Sequence, residues 1–449
     1  MWRLYLFYAS MNACFQFPEI PLRIWCLEKL KLSPATYGLV VTSAGIPWAC
    51  KPIIGAIVDT INRKRLSIVI AAFLNVSPWF FISNGMVKNA LQAAVCITTS
   101  SAALCFMDIT CDAIMVKHVR NESMQDLGVL QSNCWISRAI GAIVACAVAG
   151  YAASHADVGQ MQSIIGYTGL VALPGTFALI TEVQQWPPEE NENMCTKLRN
   201  VGRAILSRDL LKPCLFIFAL CAIPNCGNTL SAFFQTKLHF NPTQFAIIDA
   251  VGHIAHGAGA TLYKKKLRKM SYRVIFKWGI VAGIVLQALQ LLMITRVSSK
   301  AGIPDLAFAL MEAMSGAVVG QVLIMPICVI AATRCPGGVE GTLYSAVMAI
   351  TNLGTVVGMA AGSAVTEGMG VTSQDYSHMW AVALLCVGLS TFPLGFLRWI
   401  DVEKRSEIEM TPVALGCTVS DVEPTCGTRA GFVDEPLGDA DGTEDVTTR

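Results

Sequence analysis

Four of the ionisable side chains inside the long apolar runs of this sequence are the first candidates for function, because a charge there is costly and usually functional. Asp108 and Asp112 are four residues apart, so a helix places both carboxylates on one face. Two carboxylates this close in a medium of low dielectric cannot both ionise cheaply, which makes the pair a candidate proton-coupling site. The alternative is fixed ion pairing, with Lys51 facing the carboxylates and Arg138 serving as an internal partner of Asp108.

Other polar residues in the apolar runs are candidates for contact with a solute. Arg138 could clamp a carboxylate through two parallel hydrogen bonds. Pro224 removes one backbone hydrogen bond from its run. The side-chain amides of Asn225 and Asn228 could bind a solute, or they could only pair with backbone groups that a kink at Pro224 frees. Glu19 breaks the first run near its outer mouth and ranks lower. The predicted substrate-binding residues are Lys51, Asp108, Asp112, Asn133, Arg138, Asn225, Asn228 and Glu312.

The long apolar runs are the structural elements that would position these residues. The chain is 54% apolar and 14% charged, whereas soluble proteins carry about 25% charged residues. A helical crossing of the bilayer needs about 20 apolar residues. The runs do not alternate as barrel strands would, so the sequence predicts an all-α membrane protein with twelve transmembrane helices. The runs are 4–25, 36–59, 66–84, 90–116, 127–153, 162–182, 211–235, 243–263, 274–295, 304–332, 339–367 and 378–400.

The twelve runs divide into two halves. Runs five and eleven align without gaps at an offset of 213, which pairs Gly128 with Gly341 and Gly141 with Gly354. Parallel repeats are a known transporter plan, although shared helix-packing chemistry would give a similar pattern. The predicted domains are an N-terminal six-helix bundle (1–182), a cytoplasmic linker (183–210), a C-terminal six-helix bundle (211–400) and a disordered acidic cytoplasmic tail (401–449).

Basic residues set the predicted orientation. The connections after even-numbered runs hold more than twice as many Lys and Arg residues as the connections after odd-numbered runs. Arg23 is counted in the second set. This bias places both termini in the cytoplasm. Gly55, Asp59, Arg63 and Arg65 lie at the membrane edge after the second run, where we expect a gating latch between the halves.

Several motifs occur in order along residues 32–354. They are Leu32-Ser33-Pro34-Ala35, Pro47-Trp48-x-x-Lys51-Pro52-x-x-Gly55, Asp108-x-x-x-Asp112-Ala113, and Cys335-Pro336-x-Gly338-x-Glu340-x-Thr342-x-Tyr344 followed by Asn352-x-Gly354. In addition, Gly55-x-x-x-Asp59-x-x-x-Arg63-Lys64 resembles the loop signature of the major facilitator superfamily. With these motifs the chain resembles the folate–biopterin transporter branch of that superfamily. It departs from the family pattern at Lys117 and Gly337, where glutamate and lysine are usual.

The resemblance implies transport of folates or pterins by alternating access of two pseudo-symmetric six-helix bundles. Asp108 or Asp112 would accept the paired N–H groups of a pterin ring, and Arg138 or Lys51 would attract an anionic tail. The alternatives are a transporter of another small polar solute, such as an amino acid or sugar, a non-transporting receptor, and an intramembrane enzyme. The last lacks a His-Glu-x-x-His or comparable constellation in the sequence.

The sequence also limits the expected partners. We expect a small-molecule substrate and the lipid bilayer, and no nucleic acid, cofactor or metal ion. None of the 17 cysteines forms a Cys-x-x-Cys pair, so they are interpreted as packing residues. The predicted location is the plasma membrane.

Overall fold

The computed structural model describes residues 1–61, 63–120, 129–183, 199, 202–203, 206, 208–333 and 340–400. Every regular element within these residues is helical. Gly128, most of the predicted linker, residues 334–339 of the Cys335-Pro336 motif and the acidic tail lie outside the described residues.

The N-terminal part of the chain forms eleven helices within the described residues. They are α1 (Trp2–Gln16), α2 (Glu19–Ile24), α3 (Pro34–Thr42), α4 (Ile46–Ala49), α5 (Lys51–Thr60), α6 (Lys64–Ser83), α7 (Ala90–Arg120), α8 (Val129–Ser154), α9 (Met161–Gly166), α10 (Thr168–Val171) and α11 (Leu173–Val183). A π-helical turn over Trp25–Lys29 follows α2.

The C-terminal part forms eight further α-helices within the residues described. They are α12 (Arg208–Cys221), α13 (Gly227–Thr236), α14 (Pro242–Leu262), α15 (Tyr272–Ile294), α16 (Val297–Lys300), α17 (Asp305–Thr333), α18 (Glu340–Gly368) and α19 (Met379–Leu389). A π-helical turn over Tyr263–Leu267 follows α14, and a 3-10 segment over Phe392–Ile400 follows α19.

All twelve predicted runs contain helix, but several runs are broken. Eight described helical spans are long and apolar enough to cross a membrane by length and composition. A ninth results if the pair Pro34–Ala49 and Lys51–Val58, bent by 49°, counts as one span. Their outer faces expose large apolar side chains such as Phe73, Leu91 and Phe177, as expected for helices that face lipid.

The bend at Cys50 determines where Lys51 lies. Pro47 and Pro52 lack the N–H groups that a continuous ladder needs, so the helix ends at Ala49 and restarts at Lys51. Lys51 is therefore the first residue of α5, at the positive end of the helix dipole. A cation at that position is unfavourable unless nearby carboxylates stabilise it.

Close backbone contact fixes α1 against α8. A Cβ added to Gly141 of α8 would lie 2.0 Å from the carbonyl oxygen of Ala9, so this position accepts only glycine without a shift of the helices. Small residues allow such close approach of membrane helices. The contact places Tyr8 of α1 beside Arg138, which precedes Gly141 by about one turn on α8.

Candidate functional site

Three helices carry the four charged side chains that the sequence singles out. Asp108 and Asp112 lie on one face of α7, Lys51 begins α5, and Arg138 lies in the middle of α8. The structure brings all four together, and we name them the charge quartet. The predicted alternative of internal ion pairs is present in this structure, and it does not exclude a functional role.

Each carboxylate of the charge quartet contacts both cations. The Lys51 Nζ atom is 2.9 Å from Asp108 Oδ2 and 3.1 Å from Asp112 Oδ2. The Arg138 Nη2 atom is 2.7 Å from Asp108 Oδ1 and 3.8 Å from Asp112 Oδ1. Two positive and two negative groups give a formal net charge of zero. Like-charge repulsion between the carboxylates is therefore offset by cations at hydrogen-bond distance.

Aromatic side chains enclose the charge quartet. The Tyr8 hydroxyl donates to Asp112 Oδ1 at 2.7 Å. The Arg138 guanidinium carbon lies 4.5 Å from the Tyr8 ring centroid and 5.2 Å from that of Trp135. Lys51 Nζ lies 5.6 Å from the Trp48 ring centroid. These rings hold the cations in place through cation–π attraction, and they offer flat surfaces on which a heterocycle could stack.

Exposure is unequal within the charge quartet. The Asp108 side chain is 1% exposed, whereas that of Asp112 is 34% exposed. The side chains of Lys51 and Arg138 are 17% and 20% exposed. Asp108 is thus the buried anchor, and the other three side chains are partly exposed.

Two other predicted site residues make contacts outside the charge quartet. The Asn133 amide donates to the Tyr5 hydroxyl at 3.2 Å and so links α8 to α1. The Asn228 amide lies 3.5 Å from the carbonyl oxygen of Gly38 and so links α13 to α3. Their described contacts are structural, and their predicted contact with a solute stays a prediction.

Asn225 and Glu312 line a cavity to which no member of the charge quartet contributes. It has a volume of about 270 Å³ and lies among residues after the predicted linker, including Asn225, Gln287, Gln290 and Glu312. Gln290 donates a hydrogen bond to Glu312. The residues lining this cavity include no cation, so Glu312 differs from the carboxylates of the charge quartet.

The predicted gating residues lie within α5 and at the start of α6: Gly55 and Asp59 belong to α5, Arg63 precedes α6, and Arg65 is in its first turn. Arg63 and Arg65 are exposed. Gly55 packs loosely, since an added Cβ would meet Ile109 at 3.8 Å. The side chain of Asp59 lies outside the described residues, and the latch stays a prediction.

Sequence reasoning missed two groups that shape the site. Tyr8 and Trp48 belong to apolar runs in which aromatic residues are ordinary packing groups. Their roles depend on which helices cross at the charge quartet. Trp48 is itself held by a hydrogen bond from its indole nitrogen to Ser101 at 3.0 Å, and its carbonyl oxygen accepts from Asn352 of α18 at 3.2 Å.

Comparisons with known proteins give a consistent result. The model of the BT1 family matches residues 14–411. The folate-biopterin transporter of Synechocystis sp. is 29% identical over 395 residues, covering 86% of this chain and 79% of that protein. Folate transporter 1 of Plasmodium falciparum is 20% identical over 401 residues, covering 87% and 78%.

Solved transporter structures share the fold. The nucleoside transporter NupG superposes with a TM-score of 0.68 at 16% identity, covering 89% of this chain and 99% of that one. A POT family transporter in complex with 5-aminolevulinic acid gives 0.65 at 11% identity, covering 88% and 94%. At these identities the likeness concerns the fold alone, which is that of the major facilitator transporters.

Proposed function

This chain belongs to the BT1 family, and we propose that it carries folates or pterins across a membrane by alternating access around the charge quartet. The family and its curated relatives are transporters rather than enzymes. The names of those relatives, folate-biopterin transporter and folate transporter, support folates or pterins as the substrate.

The observation that carries the proposal is the neutral, partly exposed charge quartet. An empty site with balanced charges is stable in a low dielectric because every ionised group has a partner. A folate presents complementary chemistry, with N–H donors on its pterin ring and carboxylates on its tail. These groups can take the place of partners that the members of the charge quartet provide for one another.

The exposed fractions of the side chains indicate which members of the charge quartet would exchange partners with the substrate. Asp112 is the accessible carboxylate, so it is the proposed acceptor for the ring N–H and the adjacent amino group. Arg138 has five N–H donors, of which the bond to Asp108 uses one. Its remaining donors would bind a tail carboxylate in bidentate fashion, while Trp135 or Tyr8 stacks on the ring.

Proton coupling through Asp108 and Asp112 is part of the proposal. A passenger carboxylate that draws Arg138 away would leave Asp108 with one fewer cation in a dry site. A proton taken up there would then restore neutrality. Coupling in this form depends on the passenger and is absent from the empty site.

The chain is a multi-pass membrane protein, and we further propose the plasma membrane with both termini cytoplasmic. Lys264, Lys265 and Lys266 are exposed just after α14, and such basic connections favour the cytoplasmic side. A small-molecule passenger and the bilayer are the partners that this proposal requires.

A panel of labelled solutes tests the passenger class. Purified protein in liposomes is expected to take up folic acid and biopterin in a saturable manner, well above protein-free liposomes. An amino acid and a hexose are expected to enter no faster than in protein-free liposomes. Saturable uptake of the amino acid or the hexose, with no uptake of folic acid or biopterin, would show that the protein transports a different solute.

A further inference from the structure

One end of the molecule is closed by contacts between helices from the two predicted halves. Gln235 donates to Glu28 at 2.8 Å, and Ser154 and Thr243 share a hydrogen bond of 2.7 Å. A Cβ added to Gly150 of α8 would lie 2.4 Å from the Cβ of Ala246 on α14. We name this the closed end.

The closed end faces away from the exposed basic turn. The helix α14 begins there at Pro242 and runs for 21 residues to Leu262, a length of about 30 Å. The exposed residues Lys264, Lys265 and Lys266 therefore lie at the opposite end. By the orientation proposed above, the closed end is the outer one.

Three charged residues lie just beneath the closed end. Arg23 of α2 is only 3% exposed, and its guanidinium carbon lies 3.7 Å from the ring centroid of Phe245. Asp249 follows Phe245 by one helical turn on α14. Glu19 precedes Arg23 by one turn on α2. We name Glu19, Arg23 and Asp249 the outer trio.

The outer trio is incompletely paired. Among the described residues, neither Nε nor Nη2 of Arg23 has a hydrogen-bond partner, although both are buried. The same holds for Asp249 Oδ2. A buried charged group without a partner is strongly destabilising, so this arrangement calls for a further component.

The charges around Asp249 do not balance. Glu19 and Arg23 are the charged groups that act on it within the described part of the chain. Tyr37 of α3 and Cys146 of α8 are titratable neighbours, and His253 is on the next turn of α14. If both acids ionise, the outer trio has a formal charge of −1, in contrast to zero for the charge quartet.

One proton would balance the outer trio. With this end closed, Asp249 Oδ2 and two Arg23 nitrogens have no contact with water. Desolvation favours the neutral form of an acid that lacks its own cation. When the end opens, water can solvate both carboxylates and the proton can leave. Proton binding and closure are then linked.

We propose that Asp249 binds one proton when the outer end closes, beside Glu19 and Arg23, so that closure of this end is linked to proton binding. That this end is the outer one rests on the proposed function, but the linkage between closure and proton binding does not. A one-proton linkage changes the ratio of open to closed forms by up to about tenfold per pH unit.

Hydrogen exchange measures closure in the absence of any passenger. Asp249→Asn mimics the protonated acid, so at pH 7.5 the amides of 150–157 and 236–246 are expected to exchange several-fold more slowly in this variant than in the wild type. At pH 5.5 the two proteins are expected to agree. Asp375→Asn is the matched control, because Asp375 is exposed on a connection after α18, and it should behave as the wild type at both pH values.

Equal exchange of Asp249→Asn and wild type at pH 7.5, or a difference that persists at pH 5.5, would overturn the proposal. If Asp249→Asn fails to fold, Glu19→Gln provides the same comparison. Absence of any folate uptake by the wild type would defeat the proposed function, while the exchange experiment would still decide the linkage.

Discussion

Asparagine in place of Asp108 is expected to abolish folate uptake and to lower the free energy of unfolding by about 3–5 kcal/mol. Asp108 is 1% exposed and accepts hydrogen bonds from both Lys51 and Arg138. Its removal leaves two cations in a buried site with one carboxylate between them. Thermal unfolding in detergent and initial uptake rates in liposomes measure the two effects.

The matched variant is Asp112→Asn. Asp112 is 34% exposed, so water can solvate Lys51 after the change, and the stability loss is expected to be markedly smaller. Uptake should still fall, because Asp112 is the proposed acceptor for the ring. Equal stability losses in the two variants would contradict the assignment of Asp108 as the buried anchor.

Lysine in place of Arg138 is expected to raise the KM for folic acid about 10- to 100-fold, equivalent to about 1.4–3 kcal/mol. The substitution keeps the positive charge near Asp108 but removes the planar fork and its stacking on Tyr8 and Trp135. Biopterin has no anionic tail, so its KM should change much less. Concentration-dependent uptake of both solutes checks this.

A control for Arg138→Lys is available on the surface. Arg296 pairs with Asp305 at 2.8 Å but is 42% exposed, and exposed pairs contribute about 0–1 kcal/mol. Arg296→Lys should therefore leave both KM values unchanged. If Arg138→Lys transports folic acid as the wild type does, the guanidinium clamp is wrong.

The meeting of Lys51, Asp108, Asp112 and Arg138 is one of the alternatives that the sequence already offers. A charge inside an apolar run is costly without a partner, and two acids and two bases occur in runs two, four and five. The sequence does not show which cation contacts which carboxylate. Lys51 bridges both carboxylates because α5 restarts at that residue, and this depends on the three-dimensional bend at Cys50.

Glu312 shows that the sequence alone does not reveal what surrounds a single polar residue. The sequence places it in an apolar run followed by glycines, and this is compatible with any face of the helix. The structure places it against Gln290, in a cavity with Asn225 and without a cation. Which face of a helix meets a passenger depends on its neighbours across the fold, and spacing along one run does not contain that information.

Arg23 was misjudged for a related reason. Counting basic residues assigned it to a connection, where cations are solvated. The structure continues the helix through it as α2, buries it and sets it on the Phe245 ring. Its neighbour Asp249 comes from a helix more than 200 residues later in the chain, so the outer trio exists only in the folded protein.

Competition for folic acid uptake tests the central claim most directly. In liposomes containing the wild-type protein, two unlabelled compounds are added in turn. Biopterin carries the ring without the tail, and p-aminobenzoylglutamate carries the tail without the ring. Because the charge quartet offers both a carboxylate and cations, each compound is expected to inhibit labelled folic acid uptake competitively. Folic acid uptake that neither compound inhibits would contradict recognition of a folate by the charge quartet.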